Sequence, residues 1–337
     1  MLHIVPNCDS DNRSFNFTEL IPFLEHSDKI GMYIQYDMRC TYSDNTLLTS
    51  QISLLSKYKS LLLWYTADEP DGPDEPFKPV LKAYTRIKQT DPYHPVSLVL
   101  TCADYNYQAF STATDIIQTD PYPIGMDPKW SMTYRTPCNE TYGNCGCDNC
   151  VGAVEDVGSR LETYRQHQEW LTGQAGPQKP LWVAIQAFGE QMFWKRLPTA
   201  AEVLAMDMVA MNHGAKGLVS WLYPTSEEIM NATARLAKVV TKDEVTGMLL
   251  GGDPVAAEVR GGKRVDAALW KRGSDLLVSV VSIDALEVQS NVSIVLPAPA
   301  TKRSVILWGG EGWTLQGNRL FKSKLDPLET SLVWIEL

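Results

Sequence analysis

The chain has 337 residues, 44% of them apolar or aromatic, enough to bury the core of one large domain and a smaller one. Its net charge of −10 and pI near 5.1, with no cluster of Lys and Arg, argue against nucleic acid or an anionic membrane surface as partner. No apolar run approaches the ~18–20 residues needed to span a bilayer.

In chain order, short apolar runs alternate with amphipathic helical patterns up to about residue 240, as repeated βα units do. Met1–Cys8 reads as a strand. It lacks the charged and apolar regions of a signal peptide, which points to a chain trimmed at its N-terminus. A helix over about 17–27 precedes a strand from Ile30 that ends on Asp37 and Arg39. A helix near Thr46–Tyr58 leads into Leu61-Leu-Leu-Trp-Tyr-Thr-Ala-Asp68-Glu69-Pro70-Asp71-Gly72, the most informative stretch. This apolar run of strand length, broken by adjacent carboxylates, Pro and Gly, fits a strand buried on both faces of a parallel sheet. Its acids fall where a (β/α)₈ barrel builds its active site; a plain helix N-cap is the structural alternative.

Phe77, Val80, Leu81, Tyr84 and Ile87 then mark a helix before a strand at Val96–Thr101, and Thr114–Asp120 a further strand closed by Pro121-Tyr122-Pro123. A long connection, with a helix near Glu155–Leu171, leads to strand Leu181–Ala187. Thr199-Ala-Ala-Glu202 spells a capping box for a helix ending at Gly214, and Thr225-Ser-Glu-Glu228 spells a second, behind the strand Gly217–Leu222. From about Leu250 the period switches to alternation. Ala267–Lys271, Leu276–Ile283, Val292–Leu296, Ser304–Trp308 and Thr330–Ile335 read as strands of an antiparallel sandwich. The expected fold is α/β: a (β/α)₈ TIM-type barrel over 1–248 without its first strand, interrupted by a Cys-rich insertion at about 136–152, and a β-sandwich over 249–337.

Seven cysteines, four of them at Cys138, Cys145, Cys147 and Cys150, fit an oxidising compartment. Those four are disulfide candidates whose pairing the spacing leaves open. A structural zinc is the other reading, although paired C-x₂-C modules are lacking. Sequons at Asn12, Asn16, Asn139, Asn231 and Asn291 agree with a secreted glycoprotein. No metal-ligand spacing of His and carboxylates, phosphate loop or nucleophile elbow is present, and no cofactor is expected. His213 reads as a helix C-terminal residue beside the dipole, His167 as exposed and Trp64 as core.

The strand ends supply Asp37 and Arg39, Asp68 and Glu69, Asp120 with Tyr122, Gln186 with Phe188 and Glu190, and Trp221 with Tyr223. Carboxylates beside aromatic rings suit a sugar: rings stack on its apolar face, and carboxyl groups take its hydroxyls and protonate the glycosidic oxygen. Asp37 and Arg39 also read as a structural ion pair, Asp120 as a turn residue, Glu190 as solvated and Trp221 as core.

Asp68-Glu69-Pro70-Asp71-Gly72 resembles the Asn-Glu-Pro turn after strand 4 of clan A glycoside hydrolases, whose Glu is the acid/base. The strand ending in Trp221 resembles that clan's eighth, which offers a Trp to the sugar, and the tail is similar to the β-sandwich many of these enzymes append. The cysteine cluster and dense sequons resemble those of fungal secreted proteins. The resemblance implies a (β/α)₈ glycosidase acting on an oligo- or polysaccharide, with Glu69 as general acid and Asp68 raising its pKa. Two departures stand out: Asp68 replaces the Asn, and Gln186 occupies the place of the strand-7 nucleophilic Glu. Glu190 as nucleophile or base, Asp120 as the second carboxylate, or a substrate-assisted mechanism like that of hexosaminidases, with the Asp68-Glu69 pair, would each repair the chemistry. The alternative from another class is a non-catalytic carbohydrate-binding barrel; a zinc-stapled interaction protein is a third.

Overall fold

The computed structural model describes residues 1–8, 15–72, 76–139, 141–173, 178–300 and 304–337. Asn12, and Glu140 within the Asn139 sequon, lie outside them. The chain forms two compact units, Met1–Asp120 with Tyr164–Ala184 and Pro121–Thr163 with Ile185–Leu337.

The first unit alternates strands and helices: β1 (Leu2–Ile4), α1 (Phe17–Ile30), β2 (Ile34–Asp37), α2 (Asn45–Leu55), β3 (Leu61–Asp68), α3 (Phe77–Thr90), β4 (Val96–Leu100), α4 (Tyr107–Ser111) and β5 (Ile116–Thr119). The caps are local. Asn16 and Asp44 accept backbone N–H groups of the first turns of α1 and α2, and Gly31 ends α1 in the left-handed region at φ 69°. Neither acid of the 68–69 pair caps a helix; α3 starts after Pro76.

β6 (Trp130–Ser131) and β7 (Thr136–Pro137) form a small hairpin ahead of α5 (Asp156–Thr172). β8 (Leu181–Gln186), α6 (Ala200–Asn212), β9 (Gly217–Trp221), α7 (Glu227–Val240) and α8 (Asp243–Leu249) follow. In the main sheet the strands stand in the order β1, β2, β3, β4, β5, β8, β9, with parallel pairing from β1 through to β8. The Ala187 N–H donates to the Trp221 C=O beside β9. Strand order that follows chain order with helical crossovers is the construction of a (β/α)₈-type barrel, seven strands of which are present among the described residues. As the uninterrupted apolar run of β3 predicts, that strand is buried along nearly its whole length. Trp64 is fully buried and its indole N–H donates to Asp91 at 2.9 Å.

The remaining strands build two facing sheets. One holds β10 (Val255–Ala256), β12 (Val265–Arg272), β13 (Asp275–Ser282), β18 (Thr330–Glu336) and β15 (Ser304–Gly309). The other holds β11 (Val259–Arg260), β14 (Gln289–Val295), β17 (Arg319–Leu325) and β16 (Thr314–Gln316). Alternate residues Leu276, Val278 and Val280 of β13 join Val292, Ile294, Leu320 and Val333 in one apolar core. The hairpin β16–β17 was not among the predicted strands. Its inward position 322 carries a lysine, buried against Glu329, and this charge breaks the apolar alternation.

The second unit corrects two helix readings. The Thr199–Glu202 capping box forms with both hydrogen bonds. The Thr225–Glu228 box does not: Ser226 caps α7, and the Thr225 hydroxyl donates to the Ala187 carbonyl. His213, expected to face only the helix dipole, lies between Glu162 and Asp266, 2.8 Å from each.

Candidate active site

β3 does not pair evenly with β4. Tyr65 lies opposite Ser97 but Asp68 opposite Val99, so one extra residue bulges from β3 just before its end. A bulge re-aims side chains, and both acids then emerge at the strand tip. Glu69 follows with φ 48°, a left-handed conformation that a non-glycine residue keeps only where its surroundings hold it.

Around this tip the first unit gathers Asp37, Arg39, Asp68, Glu69 and Asp120. Asp37 is buried at the end of β2 and accepts from the Arg39 backbone N–H at 2.8 Å and from its Nε at 2.7 Å; His3 Nε2 lies 2.9 Å from it. Arg39 donates through Nη1 to Asp68. The other Asp68 oxygen accepts from the buried Tyr65 hydroxyl at 2.6 Å. Asp37 and Arg39 thus form the ion pair foreseen as one of two readings, and the pair also fixes Asp68. Tyr65 and His3 were missed because nothing in a strand-like run says which hydroxyl or imidazole will meet a carboxylate.

Burial, then the Asp68 and Asp71 charges, raise the Glu69 carboxyl to about 7, against a hydrogen bond with Asp120 and the charge of Arg39. Water still reaches Glu69, since both acids of the tip are exposed. Asp120 is buried and its pKa lies well above the usual carboxylate range, first from burial and then from the Glu69 charge. Two carboxyls in hydrogen-bond contact titrate as a pair, and together they hold a proton that a lone carboxylate at neutral pH would have lost. Burial raises Asp68 as well, opposed by Arg39 and the Tyr65 hydroxyl.

The other predicted residues lie in the second unit. Gln186 is fully buried: its Oε1 accepts from the Ile124 N–H at 2.8 Å, and its Nε2 donates to the Ile124 and Phe188 carbonyls at 2.9 and 3.1 Å. It clamps backbone, and its amide donors are engaged there. Glu190 is exposed in a left-handed loop position, and Tyr223 is 73% exposed. Trp221 is half-buried and its carbonyl serves the sheet. Tyr122 packs against Phe188 and Trp194 at ring distances of 5.0 and 5.9 Å, and Trp194 Nε1 donates to the Tyr122 carbonyl. Trp194 was missed; no period marks it in an irregular loop.

The four clustered cysteines pair as Cys138–Cys145 and Cys147–Cys150, and Cys8 pairs with Cys40, a bridge the spacing did not reveal. Cys102 stays a buried thiol.

No family model and no curated protein matches the sequence. Solved structures do match its fold. An α-amylase from Anoxybacillus superposes with a TM-score of 0.56 at 8% identity, over 87% of this chain and 62% of that one, so the chain spans under two thirds of its length. An α-L-arabinofuranosidase from Thermotoga maritima gives 0.54 at 12% identity, over 94% and 78%. An endoxylanase from Clostridium papyrosolvens gives 0.52 at 11%, over 96% and 85%. The fold is therefore that of the TIM-barrel glycoside hydrolases with a C-terminal β domain, in agreement with the resemblance read from the sequence.

Proposed function

We propose that this protein hydrolyses O-glycosidic bonds in an oligo- or polysaccharide, with Glu69 as general acid. The observation that carries the reading is the carboxyl pair at the tips of β3 and β5. Glu69 is open to water, its pKa is pushed up to about 7, and it is hydrogen-bonded to the buried Asp120. An acid whose pKa lies near the working pH can be protonated at rest and still yield its proton. As the bond between the anomeric carbon and the leaving oxygen breaks, that oxygen takes the Glu69 proton. Water supplies hydroxyl to the anomeric carbon and returns a proton to Glu69.

On this reading Asp120 is the partner of the acid rather than the carboxylate across the sugar ring. Hydrogen-bond contact with Glu69 is far shorter than the ~5–5.5 Å of retaining enzymes or the ~6.5–9.5 Å of inverting ones. Its role is to share and retain the proton. Gln186, an amide, cannot be a nucleophile. One observation favours a second reading, substrate-assisted hydrolysis of a 2-acetamido sugar. Asp68, next to the acid, is held on one oxygen by Tyr65 and on the other by Arg39. A carboxylate fixed in this way suits the steering of an acetamide whose own oxygen attacks the anomeric carbon. We also propose secretion, supported by three disulfides and by exposed sequon asparagines at 16, 139, 231 and 291.

The test is a series of aryl and alkyl glycosides, with and without a 2-acetamido group, turned over by wild type and Glu69→Gln. Loss of the acid should cost about 10²–10⁴-fold on alkyl leaving groups and little on dinitrophenyl ones. An equal loss across the series, or none, removes Glu69 from the role. Turnover confined to 2-acetamido substrates selects the substrate-assisted form. Saccharide binding without turnover of any member selects the carbohydrate-binding barrel.

A further inference from the structure

The turn that carries Glu69 is tied to β4 and closed on itself. The Glu69 N–H donates to the Val99 carbonyl at 3.2 Å, and Gly72 N–H closes the turn on the Glu69 carbonyl at 3.1 Å. Between them Asp71 is buried, only 2% exposed. Its Oδ1 accepts from the Thr101 backbone N–H at 2.9 Å and its Oδ2 from the Thr101 hydroxyl at 2.8 Å. Thr101 directly follows β4, so both carboxylate oxygens of Asp71 end on one residue of the neighbouring strand. A two-point bond of this kind fixes rotation as well as distance.

We infer that Asp71 is a positioning residue for the acid. Its carboxylate latches the left-handed Glu69 turn to the end of β4 and sets a fixed negative charge beside the Glu69–Asp120 pair. The inference rests on the reading of Glu69 as general acid. Neither effect was foreseen: the sequence marks the turn by Pro70 and Gly72 and gives Asp71 no part of its own.

The charges around it are few. Glu69 is faced by Asp68, Asp71 and Asp120 and by the guanidinium of Arg39. Asp71 is faced in addition by Asp104, beyond the end of β4, whose Oδ1 lies 3.4 Å from His167 Nε2 on α5. Burial raises the Asp71 carboxyl, and the two Thr101 donors pull against that. The charge of Asp71 in turn raises both members of the Glu69–Asp120 pair.

The experiment uses the full chain and two variants. Asp71→Asn keeps the size of the side chain and an acceptor for the Thr101 N–H, but removes the charge. The Glu69 carboxyl is followed by carbon NMR on protein labelled at glutamate, its signal assigned by its loss in Glu69→Gln. In Asp71→Asn the Glu69 midpoint should fall by about one pH unit, and the alkaline limb of kcat/KM should fall with it. Thr101→Val removes one strut of the latch; kcat should drop on the order of tenfold with KM little changed, because small misplacements of an acid are costly to the chemical step. An unmoved Glu69 midpoint in Asp71→Asn overturns the inference, and so does full kcat in Thr101→Val. A wild-type Glu69 midpoint in the ordinary carboxylate range would instead overturn the reading of Glu69 as the acid, whatever Asp71 does.

Discussion

His213 offers a sharp test of how the second unit is held together. The residue caps the C-terminus of α6, with Nδ1 2.8 Å from Glu162 on α5 and Nε2 2.8 Å from Asp266 on β12. A neutral imidazole carries one N–H, so only the imidazolium donates to both carboxylates. Burial pulls its pKa down, but Asp266 and then Glu162 outweigh that, and the value lies above the ordinary one. A raised folded pKa contributes stability that is complete below the unfolded value of ~6.5 and is lost as pH rises through the folded value. Glu162 is 44% exposed, so solvent screens its contact to ~1 kcal/mol at most. Asp266 is 20% exposed and also accepts from Asn212, and a charge-assisted bond there is worth about 1.5–3 kcal/mol. His213→Ala should therefore cost about 2–3 kcal/mol at pH 5.5 and about 1 kcal/mol at pH 9. With Tm moving roughly 1–2 °C per kcal/mol in a chain of 337 residues, melting of both proteins at the two pH values reads the difference directly. A stability gap that is the same at pH 5.5 and pH 9 would refute the imidazolium bridge. Gly158 belongs to the same device: a Cβ there would stand 2.8 Å from ring atoms Cδ2 and Nε2 of His213.

Two further outcomes are expected. With Glu69 raised to about 7 and required in its protonated form, kcat/KM should decline above a pH near 7, and a profile flat to pH 9 would contradict that. The Cys8–Cys40 bridge spans 32 residues and Cys138–Cys145 spans 7. From loop-closure entropy, the double Cys→Ser variant of the first should lose about 3.7 kcal/mol and that of the second about 2.5 kcal/mol, read from urea denaturation of each. The reverse order would mean that unfolded-chain entropy does not govern these bridges.

Much of the site was legible because strand tips announce themselves. An uninterrupted apolar run fixes β3 as buried on both faces, so the first charges after it must lie at the rim, and Asp37, Asp68, Glu69 and Asp120 were found in this way. Their relations were not legible. That Asp120 would hydrogen-bond Glu69, and not stand opposite it, depends on how the tip of β3 is offset from that of β5, and the bulge before Asp68 sets that offset. Gln186 could be seen to be an amide where a carboxylate was expected, but its clamp on Ile124 arises from contact between residues 62 apart. The β16–β17 hairpin had a readable signal, the Gly317-Asn318 turn, that the inward Lys322 obscured.

What the sequence determined alone is the order of elements, the switch from helical to alternating period near residue 250, and the inventory of groups at each strand end. These follow from side-chain spacing along one chain, a local property. The tertiary structure decided which carboxyls touch, which cysteines pair and which polar side chains serve backbone, because distance across the fold and exclusion of water set those interactions. The raised pKa of Glu69 belongs to this second kind: burial and the charges of Asp68 and Asp71 create it, against the pull of Asp120 and Arg39.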